Sequence, residues 1–177
     1  MAANTIFQIH LALGYAAWAL CVATYVWPRL RAIDRIDAMR AIATLHSFRF
    51  FGLVFLLPGF VGPELPRAFA APVAYGDFVT ALLAMAVLLT ARERVLFWPL
   101  VWAFNVVGAA DLLMATGRAI AVNLPSIAGQ LGAAYAIPIL YAPLLLITHG
   151  VAFYLLLRPA QAAAGSGNAA MPLGSAH

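Results

Sequence analysis

An all-α, polytopic membrane bundle of five transmembrane helices is the fold class this sequence predicts, on three observations. Hydrophobic residues make up 65% of the chain, charged residues only 9%, and the mean hydropathy is +0.95, a balance that a water-soluble domain of this size does not show. Five apolar segments, residues 6–27, 41–61, 73–91, 95–116 and 131–157, reach the length that a hydrocarbon core of about 30 Å demands. None of them has the period-two alternation, or the roughly ten-residue strand length, of a transmembrane barrel.

No Lys or Arg precedes the first segment, and its apolar stretch outruns the core of a signal peptide, so it is expected to stay as the first span. It carries Cys21, the single cysteine, which excludes an intramolecular disulfide and reads as a small packing residue. The linker that follows, PRLRAIDRIDAMR, is a basic stretch broken by Asp34 and Asp37 and suits a short helix at the headgroups. The second segment, AIATLHSFRFFGLVFLLPGFV, holds His46 and Arg49. The outer linker GPELPRAFAAP, with three prolines, favours a constrained surface segment, and the third segment contributes Asp77. Asn105, Gly108 and Asp111 recur at three-residue spacing on one side of the fourth; Asp77, Thr80, Ala81 and Ala84 form a similar stripe on the third, and His10, Gly14, Ala17 and Cys21 one on the first. Small residues on such stripes are helix-packing devices. The linker RAIAVNLPSIAGQ is apolar enough to rest at the interface, and the fifth segment holds Pro138, Pro143 and His149. Residues 1–158 thus form one transmembrane domain, and 159–177, rich in Ala, Gly and Ser, a disordered cytoplasmic tail.

All ten basic residues are arginines. Arg29, Arg31, Arg35, Arg40, Arg92, Arg94 and Arg158 fall on one side of the predicted spans, whereas only Arg67 and Arg118 fall on the other. The positive-inside rule puts the seven in the cytoplasm, the N-terminus outside and the C-terminus inside. The net charge of +4 and pI near 9.7 then reflect topology, and no nucleic-acid partner is expected.

Arg49 is the most informative residue, because a guanidinium cannot shed its charge and holding it near a bilayer centre costs about 2.5 kcal/mol or more. With a rise of 1.5 Å per residue, depths counted from the nearest cytoplasmic arginine are about 9 Å for His46, 13 Å for Arg49 and His149, and 16 Å for Asn105. The same count gives about 22 Å for Asp77, 25 Å for Asp111 and 28 Å for His10. The reading is therefore an inner ligand-binding layer of His46, Arg49, Asn105 and His149, and a separate outer polar layer of His10, Asp77 and Asp111, with no carboxylate at the level of Arg49.

Three chemistries suit such a layer. A b-type haem held by His46 and His149 as iron ligands would place a propionate by Arg49. A quinone-like or other anionic molecule could bond a histidine or the arginine in a cleft lined by aromatics. A proton-linked transporter could use the titratable His46, His149, Asp77 and Asp111. An accessory protein whose polar residues merely bond between helices is the fourth reading. No Ser-His-Asp order, His-Glu metal motif, phosphate-binding glycine loop or CxxC is present, which leaves hydrolytic chemistry without support.

Two resemblances bear on these readings. The pattern His10, Trp18 and closing Pro28-Arg29-Leu30 is similar to the first span of the bacterial membrane protoporphyrinogen oxidase family, which implies a haem-ligand role for His10. Over nearly its whole length the chain resembles small five-span bacterial inner-membrane proteins of unestablished activity, through LHSFRFFGLVFLLPG, AYGDF, FNVVGAADLL and LGAAYAIPILYAPLLLITHG. That likeness implies a single multi-pass domain in the bacterial inner membrane and no particular reaction.

Overall fold

A computed structural model describes residues 2–158; the expected tail at 159–177 lies outside them. Those residues fold entirely as helix and connecting turns, with five helices long and apolar enough to cross a membrane: α1 (Ala3–Ala32), α2 (Arg35–Leu56), α3 (Arg67–Leu89), α4 (Arg94–Ala121) and α5 (Ile137–Leu157). Large apolar side chains such as Leu13, Leu20, Leu89, Val106, Leu113 and Leu157 point outward. A helix that is apolar all round suits lipid rather than water.

α2 is the central helix, burying residues along its whole length from Ala38 to Phe55, whereas α1 buries only Phe7, Gly14, Val22 and Leu30. It packs on α3, α3 on α4, and α5 closes the group against α2 and α4, while α1 lies outside and touches mainly α5 and the segment before it. Of the stripe expected on α1, only Gly14 is buried, whereas Asp77, Thr80, Ala81 and Ala84 on α3 and Asn105, Gly108 and Asp111 on α4 all face inward.

Local sequence accounts for the helix ends and irregularities. Asp34 caps α2 by accepting the Ile36 N–H at 2.8 Å, and Asp37 in the first turn meets the helix dipole. After Ser47, α2 tightens into a 3-10 helix over Phe48–Leu56, unusually long for this form. Three residues per turn align Arg49, Gly52 and Phe55 on one buried face and leave Phe48, Phe50 and Phe51 outward. The helix stops at Leu57, ahead of Pro58 and the positive-φ Gly59, so α2 ends five residues earlier than the apolar run suggests. α1 and α5 widen to π hydrogen bonding over Val22–Val26 and Ile137–Tyr141, next to Pro28 and to Pro138 and Pro143. Proline's missing N–H leaves a carbonyl free in such places. Trp18 Nε1 of α1 donates to the Leu140 carbonyl, in this irregular part of α5, at 2.8 Å.

Residues 131–135 do not belong to the fifth span. They close a 3-10 segment, Leu124–Tyr135, kinked at Gly132, whose φ of 53° and ψ of −131° break the helix. This segment is tied to the turn after α2: Gly62 N–H donates to the Gln130 carbonyl at 2.7 Å, and Gln130 Nε2 to Glu64 at 3.1 Å. The two connections thus form one cap over the end of the bundle opposite the arginine-rich turns.

The core is divided into two apolar clusters. Phe55, Phe69, Leu124 and Leu131 belong to the one beneath the cap, and Met39, Val87, Phe97 and Phe104 to the one nearer the arginine-rich end. Between them along α2, α3, α4 and α5 runs a layer of buried polar side chains: His46, Arg49, Asp77, Thr80, Asn105, Asp111, Thr148 and His149.

Candidate functional site

Arg49 has no solvent exposure and is enclosed by three helices. Its Nε donates to Asp77 Oδ1 of α3 at 2.7 Å, its Nη2 to Asp111 Oδ2 of α4 at 2.6 Å, and its Nη1 to the Gly108 carbonyl at 3.2 Å, with His149 Nε2 of α5 at 3.5 Å. The short charge-assisted bonds to two carboxylates are the strong kind. This geometry corrects the two-layer expectation: Asp77 and Asp111 share the level of Arg49. The arginines used as depth markers do not lie at one height, because α2 starts at Arg35, leaving Arg40 already inside it, and α3 ends at Leu89, leaving Arg92 in a turn. Counted from those helix ends, Arg49 lies about 21 Å along its helix and Asp77 about 18 Å along its own.

Glycines make the approach possible. A Cβ on Gly52 of α2 would collide with the Asp77 carboxylate, one on Gly76 of α3 with that of Asp111, and one on Gly108 of α4 with His149 and Thr80. Each buried charge therefore sits opposite a helix that offers bare backbone. Sequence reasoning noted Gly108 but missed Gly52 and Gly76. The available signal was that Arg49, Asp77 and Asp111 each have a glycine within three residues on their own helix.

The two histidines lie side by side. Asn105 Nδ2 donates to the Val101 carbonyl, so its Oδ1 accepts from His149 Nδ1–H at 3.0 Å and leaves His149 Nε2 as the lone pair facing Arg49. Thr148 Oγ1 spends its proton on the carbonyls of Leu144 and Leu145, so it accepts from His46 Nε2–H at 2.9 Å. His46 Nδ1 is buried without a hydrogen-bond partner. The His46 and His149 rings are 4.2 Å apart between centroids, with Phe104 against both.

Haem ligation by this pair does not fit. An iron and a porphyrin plane would have to stand between the rings, which pack directly on each other, and three of their four nitrogens already face Thr148, Asn105 and Arg49. His10 does not hydrogen-bond to the pair: it is exposed on α1, with Nδ1 3.0 Å from the Tyr135 hydroxyl. Among the described residues, no group of three or more His, Cys, Asp or Glu side chains is arranged to hold a metal ion.

A cavity of about 360 Å³ opens between α1, α3, α4, α5 and the cap. Phe7, Leu11, Phe69, Val73, Leu112 and Leu145 contribute to its walls, and Asp77 and Asp111 are its only charged lining residues among those described. His46, Arg49, Asn105 and His149 do not line it. The four residues expected to meet a ligand stand behind the carboxylates instead, and the two aspartates assigned to another layer form the wall.

A family profile described as Domain of unknown function (DUF8737) matches residues 6–157, from the first turns of α1 to the last residue of α5. The chain belongs to this family. The match spans the residues of the buried cluster, its glycine slots and the cavity lining. No curated protein and no solved structure matches the chain.

Proposed function

We propose that this member of the family is a multi-pass protein of the bacterial inner membrane, N-terminus outside and C-terminus in the cytoplasm, that binds a small amphiphilic molecule within its helix bundle. The observation that carries the reading is the apolar cavity whose polar wall is formed by Asp77 and Asp111, themselves fixed by Arg49. Apolar pockets with a few convergent polar groups are the usual form of small-molecule sites, and buried intramembrane charges usually mark ligand or ion pathways. The ligand's apolar body would lie against Phe7, Leu11 and Leu145, with its head at the carboxylates. His46, Asn105 and His149 would serve from behind by holding Arg49 and its neighbours in place.

The test is to purify the protein in native-lipid nanodiscs and identify bound small molecules by mass spectrometry, beside an Ala115→Trp variant that fills the cavity from α4. One or more species retained by the wild type and lost in the variant is the expected result. Identical bound species in both would overturn the reading.

A proton-linked carrier is a second reading, favoured by two carboxylates sharing a single guanidinium. It requires proton movement across proteoliposomes that depends on Asp111, and equal flux in wild type and Asp111→Asn would remove it.

A further inference from the structure

We infer that the cavity selects a cationic, hydrogen-bond-donating head, an ammonium group on an apolar body, and rejects an anionic one. The inference rests on the reading that the cavity binds an amphiphile and names that ligand's class. Its basis is charge and valence at the inner wall. One guanidinium between two carboxylates leaves one negative charge over when both are ionised, and no cationic side chain lines the cavity among the described residues. Arg118 lies two turns further along α4 and is not part of the wall.

Hydrogen-bond supply points the same way. Arg49 spends Nε on Asp77, Nη2 on Asp111 and Nη1 on Gly108, and is fully buried, so an incoming anion meets carboxylates before it meets the guanidinium. Each carboxylate uses one oxygen on Arg49, and its second, Asp77 Oδ2 or Asp111 Oδ1, lies against the neighbouring helix at Gly52 or Gly76 with no hydrogen bond from a described residue. Both residues are more than nine-tenths buried. An ammonium supplies donors and the missing charge together, in charge-assisted bonds. The neutral polar groups on the wall, Gln8, Tyr15, Thr116 and Asn123, do not select the sign of a head group.

Three probes with one tail separate the possibilities: octylammonium, octanol and octanoate, titrated against protein in phosphatidylcholine nanodiscs with thermal stability as the readout. Octylammonium is expected to stabilise the wild type at a concentration at least about tenfold below that of octanoate, with octanol between them. Ala115→Trp should abolish all three responses, and Asp77→Asn/Asp111→Asn, which leaves the guanidinium without a carboxylate, should erase or reverse the preference. If the double variant does not fold, Asp111→Asn, which leaves Arg49 paired with Asp77, should shrink the preference. Equal responses to the three probes in wild type, all lost in Ala115→Trp, would overturn the charge preference and leave the binding reading standing. No response sensitive to Ala115→Trp would overturn both, and a preference unchanged in the Asn variants would remove the aspartates as its cause.

Discussion

Arg49 is held by partners whose removal has unequal consequences. Arg49→Leu strands two buried carboxylates, and breaking a buried pair in this way costs about 3–5 kcal/mol. Asp111→Asn keeps an oxygen for Nη2 and one full ion pair with Asp77, so its loss should be smaller, about 1–3 kcal/mol. Reversible unfolding in mixed micelles should rank the two in that order, and an Arg49→Leu protein as stable as wild type would contradict the pairing. Gly76→Ala places a Cβ on the Asp111 carboxylate and should cost about 1–3 kcal/mol as overpacking, in the same measurement. The burial of Arg49 was legible in the sequence because its neighbours are apolar; its partners were not. Charge balance, with one Arg and two Asp in the apolar middles of the spans, was a better guide than depth arithmetic tied to arginines at unequal heights.

The elements depart from ideal helices where their residues require it. The 3-10 half of α2 keeps Arg49, Gly52 and Phe55 in register, which brings the arginine to Asp77 and Phe55 to Phe69, 5.9 Å away between rings. An α-helical repeat of 3.6 would rotate one of the three off that face. Such tightening has no clear signature in an apolar run, so helical spacing alone did not disclose it. Prolines did mark irregularity in α5, and the Leu140 carbonyl there is where α1 is fastened. Trp18→Phe should therefore loosen α1 by about 0.6 kcal/mol, the average for an interhelical bond in a membrane, read as a lower melting temperature with the α2 to α4 core still protected from hydrogen exchange. In the cap, Gly132 combines a positive φ with a close approach to the Phe60 carbonyl. Gly132→Ala should cost about 1–3 kcal/mol from the strained positive-φ backbone alone.

At the scale of the molecule, the polar layer sits between two apolar clusters, with the cap at one end and the arginine-rich turns at the other. The orientation proposed above is open to direct measurement. In a Cys21→Ala background, a cysteine at Glu64 or Gln130 in the cap should react with an impermeant maleimide on intact cells, and one at Glu93 should react only after lysis. The reverse pattern would invert the topology.

Composition and the lengths of the apolar runs determined a five-helix membrane bundle, because bilayer thickness and the need to satisfy backbone hydrogen bonds leave few other solutions. Which buried polar groups meet was decided only by tertiary structure. Helix starts, a nine-residue 3-10 turn and three glycine contacts each shift a side chain by ångströms, and a hydrogen bond is made or lost over less than one.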